Sequence, residues 1–188
     1  MRIIAGLYRS RSLEAPPGLA TRPTSDRLRE TLFNVLAARI EGERFLDLYA
    51  GSGAVGIEAL SRGAAGVEFA ERSDPALRVL RANLARLGVT AGFRIHGATV
   101  SAVLKRMKAG TAFDVVFLDP PYDAAGEYAT TLGLLGGDAA ELLAGGALVV
   151  AEHRRKERLE EAYGRLKRTR LLEQGDAALS FYAVNAVE

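Results

Sequence analysis

Phe45-Leu46-Asp47-Leu48-Tyr49-Ala50-Gly51-Ser52-Gly53-Ala54-Val55-Gly56 decides how the rest of the chain is read. It starts as an apolar strand around a single acid. It breaks at the glycines and resumes in helical spacing with Val55, Ile57, Ala59 and Leu60. Strand, glycine-rich turn and helix in that order form the nucleotide-binding corner of a parallel α/β sheet. The glycines let the turn tighten and let a ligand approach bare backbone. The helix start adds unpaired N–H groups. Gly51-Ser52-Gly53-Ala54-Val55-Gly56 fits G-x-G-x-x-G, a weak signal alone. It is strengthened by Gly66-Val67-Glu68-Phe69-Ala70-Glu71, a second short strand ending in an acid. Glu71 lies twenty residues after Gly51, the usual spacing for an acid that binds ribose hydroxyls.

The alternation continues outward. Strands are expected at 92–96, at the strongly apolar 113–118 and at 147–152, with helices at 75–87, 100–108, 126–136 and 138–144 between them. A charged helix is expected at 155–163, and an antiparallel pair, 165–172 and 178–184, turns at Gly175-Asp176. Upstream, 26–39 has a helical stripe of Leu28, Leu32, Val35 and Leu36, with Thr24 or Ser25 as N-cap and with Arg27, Arg29 and Glu30 directed away from the stripe. Residues 2–15 suggest a β-hairpin closed by Pro16-Pro17-Gly18. The expected architecture is Rossmann-like α/β: a mostly parallel twisted sheet with helices on both faces, a C-terminal antiparallel strand pair and an N-terminal β-hairpin extension. The extension takes residues 1–20 and the main domain 21–188.

Composition narrows the function. The chain has 188 residues, 48% hydrophobic, and no cysteine. That suits one sizeable domain without disulfides or thiolate zinc sites, with the cytosol as the expected compartment. His96 and His153 are far apart, so no metal site is expected. No apolar run reaches the ~20 residues of a membrane span, and Met1–Gly6 does not suit a signal peptide. Net charge is +2, unevenly spread. Residues 1–30 carry six arginines against three acids, and residues 153–170 carry eight Lys/Arg against three Glu. Two basic segments around a nucleotide fold suggest a polyanionic partner. Tyr8, Arg9 and Arg11 suit either a small nucleic-acid contact or a plain edge ribbon.

Asp119-Pro120-Pro121-Tyr122 follows the apolar strand 113–118. Ligands of open α/β sheets sit beyond the carboxyl ends of the strands, so this tetrapeptide and the glycine corner are expected to converge. The prolines have fixed φ and no N–H, and their rigid backbone offers carbonyls. Asp119 offers a carboxylate and Tyr122 a flat face. Such a site suits the exocyclic amine of a base turned out of its helix and stacked on Tyr122.

Asp47-Leu48-Tyr49-Ala50-Gly51-Ser52-Gly53 resembles the first motif of S-adenosylmethionine-dependent methyltransferases of class I. Asp119-Pro120-Pro121-Tyr122 resembles the signature of their amino-methylating branch. Arg22-Pro23-Thr24-Ser25-Asp26-Arg27-Leu28-Arg29-Glu30-Thr31-Leu32-Phe33-Asn34 resembles the N-terminal block of the RsmD family, bacterial 16S rRNA guanine-N2 methyltransferases acting on the small ribosomal subunit. The likeness spans nearly the whole chain. It implies S-adenosylmethionine as methyl donor. Asp47 and the backbone of Ala50, Gly51, Ser52 and Gly53 would hold its methionine end, Glu71 its ribose, and Arg72 and Ala98 would lie by its adenine. Position 98 is Ala where many methyltransferases carry a polar residue, leaving adenine recognition there to backbone. Thr24 and Arg27 would close over the cofactor. Asp119, Pro120, Pro121 and Tyr122 would receive guanine. Arg9, Arg11 and Arg22 would touch RNA. The implied partner is 16S rRNA, within a subunit or assembly intermediate, for a protein expected to be monomeric. The alternatives are a DNA adenine-N6 or cytosine-N4 methyltransferase, which the short chain leaves little room for, a nicotinamide dehydrogenase, which the Pro-Pro motif disfavours, and a noncatalytic RNA-binding module.

Overall fold

The structure, a computed structural model, describes residues 1–16, 26–107, 112–121 and 126–184. The five parallel strands are β1 (Arg44–Leu48), β2 (Gly66–Glu71), β3 (Phe93–Gly97), β4 (Phe113–Leu118) and β5 (Leu143–Arg154). They alternate with α2 (Ala54–Ser61), α3 (Asp74–Leu87), α4 (Val100–Arg106) and α5 (Glu127–Gly136), and α1 (Asp26–Leu36) precedes them. The chain ends in β6 (Ala162–Tyr163), β7 (Leu166–Gln174) and β8 (Ala177–Val184). All eight strands join one sheet in the order β3-β2-β1-β4-β5-β8-β7-β6. The first five run parallel, and β8, β7 and β6 are antiparallel additions at one side.

Side chains on a strand alternate between faces, and here both faces are covered. Phe45, Val67, Phe69, Val115, Phe117 and Val150 meet Leu28, Leu32, Phe33 and Leu36 of α1, Ile57 of α2 and Leu80 and Leu84 of α3. Leu46, Leu48, Val116, Leu118 and Val149 meet Val103 and Leu104 of α4 and Leu132 and Leu135 of α5. This is why the inner strands read as continuous apolar runs. Fully burying each such side chain contributes about 1.5–3 kcal/mol. Asp47 shares its face with Phe45, so its carboxylate projects toward α2.

Helix limits follow local chemistry. Pro75 sits in the first turn of α3, and Gly88 ends that helix in left-handed geometry at φ 73°, its N–H bonding Ala85 O. Helix α1 stops at Leu36 and tightens into a short 3-10 turn, Ala37–Arg39. Its expected N-cap, Thr24 or Ser25, lies outside the described residues.

The N-terminal hairpin forms around a 7–10 turn: Arg2 bridges Ser12, Ile3 N–H donates to Arg11 O, Ser10 N–H to Ile3 O and Leu13 N–H to Met1 O. It is also tied to α2, with Ile4 and Ala5 N–H donating to the Glu58 carboxylate and Leu7 N–H donating to Ser61 O. Two expectations change. The charged segment 155–163 is not helical. Leu159 buries under the α4/α5 face and the chain turns at Gly164, φ 56°, to pair β6 with β7. A Cβ on Gly164 would lie 2.4 Å from Gly136 O, so backbone meets backbone there, and this tertiary contact overrides the helix propensity of Glu157–Ala162. Arg29 is the second. Although off the apolar stripe, it is fully buried. Its guanidinium donates to the Arg2 carbonyl and to Asp26 Oδ1 at 2.9 Å, and lies 3.9 Å from Glu58.

Candidate active site

The strand order reverses its direction of growth at β1, with β2 and β3 on one side and β4 and β5 on the other. Ligands of doubly wound sheets bind at that switch, beyond the carboxyl ends. Leu48 of β1 pairs with Leu118 of β4, so Tyr49 and Asp119 leave the sheet side by side. A cavity of about 450 Å³ opens there. Asp47, Ala50, Gly51, Ser52, Glu71, Arg72, Ala98, Asp119, Pro120 and Pro121 line it together. The glycine corner and the Asp-Pro-Pro turn do converge.

The corner is held from below and from the side. Tyr49, Gly51 and Gly53 all have positive φ, at 63°, 55° and 79°. Only this succession turns the chain sharply enough to begin α2 at Ala54. Gly56 N–H donates to Asp47 Oδ2 at 2.8 Å, tying the helix start to the strand it came from. Glu71 accepts from Gly51 N–H at 2.8 Å and Ser73 N–H at 2.7 Å, and so clamps the glycine loop to the β2–α3 turn. Asn83, fully buried on α3, donates to Ser52 O at 3.0 Å. Gly53 is buried beneath the loop, and its absent side chain makes way for Leu80 and Ile57. A Cβ there would lie 2.2 Å from the Leu80 side chain. Gly53 therefore does not border the cavity.

Asp47 and Asp119 sit where ionisation is unfavourable, so a cationic ligand is what stabilises their charged forms. Burial, with the charge of Glu71 adding to it, raises Asp47 to about 7 against the bond from Gly56. Asp119 is raised well above the ordinary carboxylate range, first by burial and then by Glu152 and Asp47. A group of acids in a cavity that also has apolar walls (Val55, Ala70, Ala76, Val100 and Phe117) favours a ligand with a flat apolar part and a positively charged part.

Other anticipated residues fall elsewhere. Arg27 is exposed on α1 and does not line the cavity. Arg9 and Arg11 are exposed, and Arg11 donates to the Arg86 carbonyl at 3.2 Å. Arg22, Thr24 and Tyr122 lie outside the described residues. His153 is buried between Ser180 and Tyr128, and its pKa is lowered chiefly by that burial.

Several lining residues carry no local sequence signal. Tyr49 reaches across to α5, its hydroxyl donating to Glu127 Oε2 at 2.6 Å, with Thr131 Oγ1 also at 2.6 Å. Burial and then Glu127 push that phenol up. Tyr49 and Glu127 both line the cavity. Thr99 and Ser101 line it too, so hydroxyls flank the side left without one at Ala98. The far wall is the N-terminal strap: Met1, Ala15 and Pro16. Its ends are fastened by Arg29 and Glu58 near Met1–Ala5, and near Glu14 by Asn83, which accepts from Glu14 N–H and donates to Glu14 O. The pairing of an α1 arginine with an α2 glutamate two elements away is visible only in three dimensions.

A family model described as "Conserved hypothetical protein 95" matches residues 1–183 of this chain, nearly its full length. The chain belongs to this family, the RsmD-like methyltransferases. A Bacillus subtilis member named "Putative rRNA methyltransferase YlbH" is 37% identical over 183 residues, covering 97% of this chain and 98% of that one. "Ribosomal RNA small subunit methyltransferase D" of Escherichia coli K12 is 43% identical over 122 residues, 65% of this chain and 60% of that protein. A solved Escherichia coli structure titled "Putative methyltransferase yhhF" superposes with a TM-score of 0.86 at 35% identity, covering 100% of this chain and 99% of that one. The expected class I methyltransferase fold, with its C-terminal antiparallel strands, is therefore the fold of this RsmD-like chain.

Proposed function

We propose that this RsmD-like chain transfers the methyl group of S-adenosylmethionine to the exocyclic N2 amine of a guanine in 16S rRNA of the small ribosomal subunit. The observation that carries the reading is the meeting of the glycine corner and Asp119-Pro120-Pro121 in one acid-lined cavity at the β1/β4 switch point. The rRNA substrate rests on what the relatives are named, and the guanine N2 position on the family resemblance.

The residues present fit the cofactor. Ammonium and sulfonium charges suit a cavity containing Asp47 and Asp119, and an adenine suits Val100, Ala98 and Ala76. Glu71 has spent one acceptor direction per oxygen on Gly51 and Ser73, and a carboxylate has about four, so ribose hydroxyls find acceptors there. S-adenosylmethionine, when bound, supplies an electrophilic methyl on a positively charged sulfur. Asp119 accepts a hydrogen bond from the guanine amine and aims its lone pair at that methyl. Pro120 and Pro121 hold the Asp119 backbone rigid, so little motion is lost when the base arrives. Bound there, S-adenosylmethionine would give its methyl to N2 and leave as the neutral thioether S-adenosylhomocysteine, and Asp119 would stabilise the positive charge on N2 until its proton passes to solvent. Electrostatic placement and positioning carry the rate.

The test follows labelled methyl from S-adenosylmethionine onto small subunits lacking the modification, naked 16S rRNA and duplex DNA, with nuclease digestion to identify the product. N2-methylguanosine from ribosomal material is expected. Label only on DNA adenine or cytosine would overturn the reading.

A further inference from the structure

The acid-lined cavity raises a difficulty that the rest of the molecule answers. Asp47, Glu71 and Asp119 favour cations and offer no counter-charge to a phosphate backbone that brings a base to them. A base can enter only if its phosphates stay outside on a surface of opposite sign.

Such a surface lies beside the mouth. Leu118 of β4 pairs with Ala151 of β5 in parallel, so the residues after both strands leave the same edge of the sheet. Arg154 lies three residues beyond Ala151, and Asp119 one residue beyond Leu118. At ~3.3 Å per residue and ~4.8 Å between strands, the Arg154 and Asp119 Cα atoms are about 8 Å apart. Arg154-Arg155-Lys156-Glu157-Arg158 thus begins at the rim of the substrate end. Lys156 and Arg158 are exposed. Arg155 is engaged by Glu173 at 3.3 Å.

The loop is also stiff. Arg155 N–H donates to Asp176 O, and Glu157 N–H donates to Arg154 O. Leu159 is buried, and its carbonyl accepts from Arg168. The Glu160 carbonyl accepts from Tyr182 Oη and its N–H donates to Tyr163 Oη. A surface held this firmly loses little conformational freedom on binding.

We propose that the 154–158 loop is the phosphate-gripping rim of the RNA site, with Lys156 and Arg158 neutralising backbone phosphates next to the nucleotide delivered to Asp119. This rests on the rRNA reading above. The sheet therefore sorts the substrate: base to the acidic cavity, backbone to the basic rim.

The test compares the full-length wild type with two double variants. One is Lys156→Ala with Arg158→Ala. The other is Arg165→Ala with Lys167→Ala, which removes the same charge at the opposite edge, where Leu166 pairs with Val184. Binding to unmodified small subunits is measured across a salt series. Two lost phosphate contacts lower the log–log salt slope by about 1.4–1.8. That fall is expected for the rim variant alone, with S-adenosylmethionine binding retained. An unchanged slope in the rim variant, or an equal fall in both variants, overturns the rim while wild-type methylation of rRNA still stands. Wild type that methylates no rRNA would instead remove the substrate reading, and the rim with it.

Discussion

The Glu58→Gln substitution tests how the cofactor cavity is walled. Glu58 is fully buried, and both its oxygens are committed. Oε2 accepts from Ile4 N–H at 2.8 Å and faces Arg29 Nε at 3.9 Å. Oε1 accepts from Ala5 N–H at 3.0 Å and Arg62 Nε at 2.8 Å. Every partner is a donor, so an amide NH₂ on either side meets a donor head-on. Arg29, already pulled below its ordinary range by burial and supported by Asp26 and Glu58, loses one of those two anions. Removing one partner of a buried ion pair costs about 3–5 kcal/mol. For a domain of this size each kcal/mol lowers the melting temperature by roughly 2–4 °C, so a fall of about 6–20 °C is expected. The fall is local in origin. Hydrogen exchange at Ile4 and Ala5 accelerates, and because Met1, Ala15 and Pro16 wall the cavity, affinity for S-adenosylmethionine weakens with it. Glu161→Gln is the comparison: its pair with Arg168 at 2.8 Å has Glu161 83% exposed, and such pairs contribute about 0–1 kcal/mol. A melting temperature within about 2 °C of wild type for Glu58→Gln, or a large fall with Ile4 and Ala5 exchange unaltered, would refute the strap reasoning.

Three further outcomes are expected. Asp119→Ala retains S-adenosylmethionine binding by calorimetry yet loses about 100-fold or more in single-turnover methyl transfer, the usual scale for one lost transition-state hydrogen bond. Weak cofactor binding with normal turnover would reverse that division of labour. Asp47 has its pKa raised in the folded protein to about 7, so ionising it opposes folding as pH climbs from the ordinary carboxylate range toward 7, while a cationic ligand favours the ionised form. Affinity for S-adenosylmethionine should therefore rise by up to about tenfold per pH unit below 7 and level off above it, with proton release detectable in buffers of different ionisation heat; a flat profile counts against it. Gly56→Ala places a Cβ 2.3 Å from the Phe69 ring and 2.9 Å from Val67, and is expected to lower stability in urea by about 1–3 kcal/mol.

Asp47, Glu71 and Asp119 could be read from sequence because each ends or interrupts an apolar strand, and strand ends of a parallel sheet share one edge. Such inference needs only period, spacing and the switch-point rule. It fails where a residue's environment is made by a distant element. Arg29 sits among polar residues in sequence and points toward solvent on a helical wheel drawn alone, yet Glu58 and the returning strap enclose it. Residues 155–163 fail for the converse reason. Their composition favours a helix, but Leu159 has an apolar face to cover and Gly164 a backbone contact with Gly136, and both are satisfied only by an extended edge. Both misreadings fall where the chain folds back on its sheet, at the strap and at the β5–β6 connection. The strap walls the cavity. A class I core can be recognised from its strands because every member must build the same switch point. The segments that wrap around it are free to differ in charge and contact, so their structure is set by partners that their own composition does not reveal.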